Sequence, residues 1–196
     1  MNNKYETSLI KAKTLYVTTL CLVGLVLFVS LACEKKAASS KSNPNRISGP
    51  CEVFDKLPTD IVKPLDVNFG KKVKLLGITI NKLPKDQLNV TYYWQLLDEL
   101  STYDAAFVHF TDKDNKVLFQ NDHDLCQRRP FAELRGKFIK EPYVISVPQT
   151  AKGQEVYVKL GIFSIEPNIG RLKIESAGGV PTDDLDTRAI IEKVGL

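Results

Sequence analysis

The sequence predicts an all-β protein, an antiparallel immunoglobulin-like β-sandwich with a short C-terminal helix. Three observations carry that prediction. Val90, Tyr92, Trp94 and Leu96 alternate with Thr91, Tyr93 and Gln95, and Val156, Val158, Leu160 and Ile162 alternate with Tyr157, Lys159 and Phe163. A period of two is the mark of a half-buried strand. Shorter runs of the same kind recur between turn-forming clusters, without helical stretches between most of them. Finally, Trp94 stands mid-strand, where it would fill the space between two sheets.

In chain order, the sandwich is preceded by two segments of different composition. Lys4, Lys11 and Lys13 lead into an uncharged run from Thr14 to Ala32, closed by Ser30-Leu31-Ala32-Cys33. A basic start, an apolar middle and a small residue before the break predict a secretory signal over residues 1–32. Those last four residues resemble the lipobox of bacterial lipoproteins, with Ser30 where Leu is usual. The resemblance implies acylation of the Cys33 thiol and lipid anchoring, outside the cytoplasm, on a cell membrane or outer membrane. The apolar run nearly suffices to cross a bilayer, so an uncleaved transmembrane anchor is the competing reading. Residues 33–50 hold Ile47 as their one large apolar side chain. Such a stretch buries too little to offset its ordering entropy and reads as a tether.

Residues 51–176 make up the predicted sandwich. Besides the two alternating strands, β-like runs occur at Val73–Ile80, Ala105–Thr111, Val117–Gln120, Tyr143–Val147 and Arg171–Glu175. Turns separate them at Leu83–Asp86, Asp112–Asn115, Gln149–Gly153 and Glu166–Gly170. Phe131–Arg135 predicts a helical turn. Residues 177–196 read as a linker and a helix, with Thr182 as cap, Asp183 and Asp184 at its positive end, and Leu185, Ala189, Ile190 and Val194 as its apolar stripe.

Composition narrows the function. The chain has 27 basic and 23 acidic residues; removing residues 1–32 takes away three lysines and Glu6, leaving a net charge of +2. That balance argues against a nucleic-acid partner. Cys21 falls within the signal. Cys51 and Cys126 are an even pair in an oxidising compartment, so a disulfide and two buried thiols are both open readings. A bridge would close a loop of about 75 residues and stabilise the fold by about 4 kcal/mol.

Several fragments in order carry a second resemblance: Asn68-Phe69-Gly70 before Leu75–Ile78, Val90–Trp94, Phe107–Phe110, Phe119–His123, then Leu160–Phe163 with Gly170-Arg171-Leu172. Over about Leu65 to Glu175 they resemble the β-sandwich domain found at the C-termini of some predicted bacterial membrane glycosyltransferases and as free-standing extracytoplasmic proteins. The resemblance implies a noncatalytic accessory module and suggests a glycan or cell-envelope polymer. Cys126–Arg129 departs from the usual pattern, and the membrane catalytic part of those enzymes has no counterpart here.

The candidate ligand-binding residues are Tyr93, Tyr157 and Phe163 as an outward aromatic platform; His109, Asp122 and His123 as a polar cluster; and Arg128 and Arg129 as a basic patch for an acidic glycan or lipid headgroups. Trp94 and Tyr92 could also stack a sugar, but their alternation reads first as core; the outward aromatics can equally be scattered single residues, the Asn121–Asp124 cluster a hydrogen-bonded turn, His109 a satisfied structural histidine, and the basic patch a solvated loop. Asp122, His123 and Asp124 with His109 could also support metal-dependent hydrolysis, although no zinc or EF-hand spacing occurs. No nucleophile stands in a recognisable motif, and no catalytic residue, metal or cofactor is expected. The sequence therefore points to an envelope-held, nonenzymatic binding module, or alternatively to a structural subunit that binds protein through a sheet edge or the C-terminal helix.

Overall fold

The computed structural model describes residues 50–100, 104–164 and 170–196. The expected signal, Cys33, nearly all of the tether and most of the Glu166–Gly170 turn lie outside the described residues. The described chain contains β1 (Glu52–Phe54), β2 (Lys63–Phe69), β3 (Val73–Leu83), β4 (Gln87–Leu96), β5 (Ala105–Thr111), β6 (Val117–Gln120), the helical turn α1 (Phe131–Leu134), β7 (Phe138–Ser146), β8 (Glu155–Ser164), β9 (Gly170–Arg171), β10 (Ile174–Ser176) and β11 (Ala189–Gly195). All strand pairs are antiparallel. One sheet has the order β1-β7-β4-β3-β2-β10 and the other β11-β8-β5-β6, with β9 beside β8. The chain is an all-β sandwich.

Alternation decides which side chains fill the middle. Phe69, Leu75, Tyr92, Trp94 and Ile139 of the first sheet meet Val108, Phe110, Val158, Leu160 and Ile162 of the second, all buried. Burying each such side chain contributes about 1.5–3 kcal/mol. Trp94 lies in this layer, as its position in the alternation predicts. Two local devices shape the sheets. Lys85 and Asp86 both take positive φ in the β3–β4 turn, a twist that suits a hairpin. Gly77 stands at a register shift in β3, where any Cβ would strike Ile61 and the Lys63 carbonyl.

The C-terminal helix does not form. Thr182 bridges Ala189, and β11 pairs along the open edge of β8, from Ala189↔Leu160 to Gly195↔Glu155. Residues 177–196 are thus not an appendage; their second half is the last strand of the domain. The residues 185, 189, 190 and 194 fit a helical stripe, but Ala189 and Ile191 also satisfy a period of two and both are buried. Pairing with the unsatisfied N–H and C=O groups of β8 decides between these patterns, a tertiary gain that helix propensity cannot match.

Candidate functional site

The outer face of the second sheet brings several of the predicted residues together. Val108, Phe110, Val158 and Leu160 point inward, so their neighbours point out. Register then sets His109 opposite Lys159, Phe107 opposite Gly161, Ala105 opposite Phe163 and Thr111 opposite Tyr157. Three predicted residues, His109, Tyr157 and Phe163, therefore share one face, and Lys159 lies between the two aromatics along β8. Phe163 is 38% exposed. Tyr157 is half-buried, with the Lys193 ammonium 5.5 Å from its ring centre. Gly161 is required here, because a Cβ would collide with the Phe107 ring and the Thr187 carbonyl.

Two loops close over this face to make a cleft of about 330 Å³ lined by Asn115, Lys159, Arg171, Asp183, Leu185 and Arg188, among others. The β5–β6 turn is one. Asp112 Oδ1 accepts the N–H groups of Asp114 and Lys116, a turn built by a short acidic side chain. That puts Asn115 in a left-handed conformation with its Oδ1 accepting from the Lys159 ammonium. The other loop is residues 182–188, folded around Asp183. The Asp183 carboxylate accepts from the Thr187 and Arg188 N–H groups and from Arg188 Nε at 2.8 Å. Burial opposes the Asp183 charge, but these donors outweigh it and hold its pKa below the usual carboxylate range. Arg171 lies over the Phe107 ring, 4.9 Å from its centre, a cation–π contact.

Lys159 is only 6% exposed. Burial, reinforced by the Arg188 charge, depresses its pKa, while Asp183 and Asp112 attract its charge without touching it. His109 is half-buried across the strand, and its Nδ1 finds no partner among the described residues. Burial also lowers its pKa; Asp122 opposes this, and Arg188 and Arg171 add to it. The cleft thus sets Lys159 and Arg171 beside the Arg188–Asp183 pair, with Asp184 and a partly apolar wall completing its lining.

The remaining candidates lie elsewhere. Tyr93 faces out from the first sheet, yet it is 1% exposed. Residues 60–62 roof it: the Tyr93 hydroxyl donates to the Asp60 carbonyl at 3.3 Å, and Thr79 Oγ1 both donates to Asp60 O and accepts from Val62 N–H. It belongs to no platform. Asp122 accepts from Val108 N–H and Gln120, fixing the β5–β6 end. His123 is fully buried on the core side, whereas His109 faces out. The two His and two Asp do not converge, and no group of three metal-ligating side chains occurs among the described residues. Arg128 is paired with Asp124 at 2.8 Å and Arg129 with Glu133 at 2.9 Å, so this patch is largely neutralised. Cys51 and Cys126 form a disulfide with Cα atoms 4.9 Å apart, within the usual range.

Behind that disulfide lies a buried polar cluster. Cys126, Gln127 and Arg128 take three successive positive φ values, held by the bridge and by Glu141 Oε1 accepting the Cys126 N–H at 2.6 Å. His123 Nε2 lies 3.8 Å from Glu141 Oε2, too far for a hydrogen bond. His123 stacks on Tyr92, 5.0 Å between ring centres, and its Nδ1 lies 2.9 Å from the Asn121 carbonyl. Tyr92 donates to Asn121 Oδ1. Burial raises the Glu141 pKa to about 8, against the Cys126 N–H and the nearby Trp94 indole, and lowers that of His123 to about 4. Both are neutral at pH 7, and the cluster has no opening to solvent that would make it a ligand site.

Lys159, Arg171, Arg188 and Asn115 escape sequence reasoning as site residues. One signal pointed to Lys159, its place between Tyr157 and Phe163 in the outward half of the β8 alternation. The others reach the face through loops whose course follows no periodicity. No family model, curated protein or solved structure matches this chain.

Proposed function

We propose that this chain is a noncatalytic binding module held at the bacterial cell envelope, with a glycan or envelope polymer seated on the outer face of the β11-β8-β5-β6 sheet. The observation that carries this reading is the row Tyr157–Lys159–Phe163 on β8 beside the cleft formed by the Asn115 turn and the 182–188 loop. Aromatic side chains pack against apolar sugar faces, while the polar groups between them fix orientation. The opposite sheet offers no such face at Tyr93, which is roofed. Attachment through Cys33 and a tether over residues 33–50 would present the domain to such a polymer without competing for its surface.

The test is binding of the full chain, reconstituted in nanodiscs, to a panel of envelope polysaccharides. Saturable binding that Tyr157→Ala and Phe163→Ala weaken supports the reading; no binding across the panel refutes it. A second reading, a protein-assembly subunit, is favoured by one observation. β6 is an edge strand with Val117 41% exposed, a template for a further strand. Its former alternative, an undocked C-terminal helix, is gone because that segment is β11.

A further inference from the structure

We infer that the cleft between the Asn115 turn and the 182–188 loop is an anion site, and that the ligand is an acidic polysaccharide whose carboxylate or phosphate groups bind Lys159 and Arg171. The inference deepens the proposed function and rests on it.

Three features argue for an anion. Lys159 is nearly buried, yet its ammonium is met by an amide oxygen, that of Asn115, and by no ion pair among the described residues. A buried cation without a carboxylate is unfavourable, and an incoming anion would satisfy it. Arg171 is held by an aromatic face and by no acid among the described residues; stacking fixes the guanidinium plane. Arg188 is paired with Asp183 at 2.8 Å, so the Asp183 oxygens are taken by Thr187 and Arg188 and are not spent on Lys159. Two carboxylates line the cleft, Asp183 and Asp184; Asp183 serves as scaffold for the loop, and neither forms an ion pair with Lys159 among the described residues. Lys159 and Arg171 contrast with Arg128, Arg129 and Arg188, where each guanidinium has its own carboxylate.

A polymer fits better than a small free anion because Tyr157 and Phe163 share the outward face of β8 with Lys159, and Phe163 pairs with Arg171 across β8 and β9. Tyr157 and Phe163 flank Lys159 by two and four residues along an extended strand, which spans roughly 20 Å. Successive sugar units could engage both at once.

The experiment uses the full chain in neutral-lipid nanodiscs with four probes: polygalacturonate, poly(glycerol phosphate), uncharged dextran, and vesicles containing phosphatidylglycerol. Polygalacturonate or poly(glycerol phosphate) should bind, with affinity falling as salt rises. Arg171→Gln, at an exposed position that leaves the fold intact, should weaken that binding about tenfold. Lys159→Gln should do the same while the thermal midpoint reports that the domain is folded. The relative strength of the two acidic probes identifies the carboxylate or phosphate source. If dextran binds as well as they do and Phe163→Ala weakens it while Arg171→Gln does not, the anion site is refuted and the proposed face survives. If no polymer binds, both fall. Binding to phosphatidylglycerol vesicles alone, lost in Arg171→Gln, would overturn the polysaccharide in favour of the membrane surface.

Discussion

Replacing Glu141 by Gln should remove a fall in stability that the native domain shows above pH 6.5. Glu141 has a folded pKa of about 8 against an ordinary 4.5, and His123 about 4 against 6.5. Between pH 4.5 and 6.5 the unfolded chain releases the Glu141 proton that the folded chain keeps. Over the same window it gains the His123 proton that the folded chain refuses. These slopes have opposite sign and cancel. Above pH 6.5 His123 is neutral in both states and falls silent, while Glu141 still holds its proton only when folded. Stability then declines by about 1.4 kcal/mol per pH unit until the folded group ionises near pH 8, about 2 kcal/mol in all. For a domain of this size that is roughly 4–8 °C in Tm. Gln keeps an oxygen for the Cys126 N–H and cannot ionise. In Glu141→Gln the decline from pH 6.5 to 8 should be absent, and stability should rise from pH 4.5 to 6.5, where His123 is no longer offset. Denaturant titrations at half-unit pH intervals measure both windows. Parallel curves for the two proteins from pH 6.5 to 9 would refute the claim that Glu141 is protonated in the fold.

Three further predictions follow from packing and pairing. Reducing or removing the Cys51–Cys126 bridge should cost about 4 kcal/mol, a large part of the stability of a single domain, read as a shift of the denaturant midpoint; an unchanged midpoint would contradict it. Gly161→Ala should destabilise by about 1–3 kcal/mol through overpacking against Phe107 and the Thr187 carbonyl, and should weaken ligand binding on that face. Arg129→Ala breaks only an exposed ion pair with Glu133, so stability should change by less than about 1 kcal/mol and polymer binding not at all.

Much of the architecture was legible because strand alternation is a local signal. Ala105–Thr111 and Val117–Gln120 stand as strands with the bounds their sequence predicts, and Phe131–Leu134 forms the expected turn. β7 begins at Phe138, earlier than its apolar end at Tyr143 suggests, because Lys140, Glu141 and Pro142 mask the pattern. β1 and β11 escape for a related reason, since each gains its identity from a partner strand distant in sequence, β7 and β8. The site was half legible. Outward facing is a parity, and parity set Tyr157 and Phe163 on one face; that His109 joins them and not His123 follows from the β5–β8 register, which the sequence does not record. Exposure is not a parity: Tyr93 faces out and is still covered by residues 60–62. The charges that distinguish the cleft arrive on loops, where hydrogen bonds by Asp112 and Asp183 set the path and no periodicity records it.

The disulfide has a mechanical consequence. Cys51 is the residue at which the chain enters the domain, and β1, just after it, is held to β7 by only three residue pairs. Tension applied from the N-terminal side would peel so short a strand one rung at a time. The bridge diverts that force into Cys126, beyond β6 and next to the packed His123–Glu141 layer, so β1 is shielded and the load falls on the sandwich as a whole. Pulling on the domain from residue 50 should give a single high-force rupture when oxidised and an early, low-force peeling step when reduced.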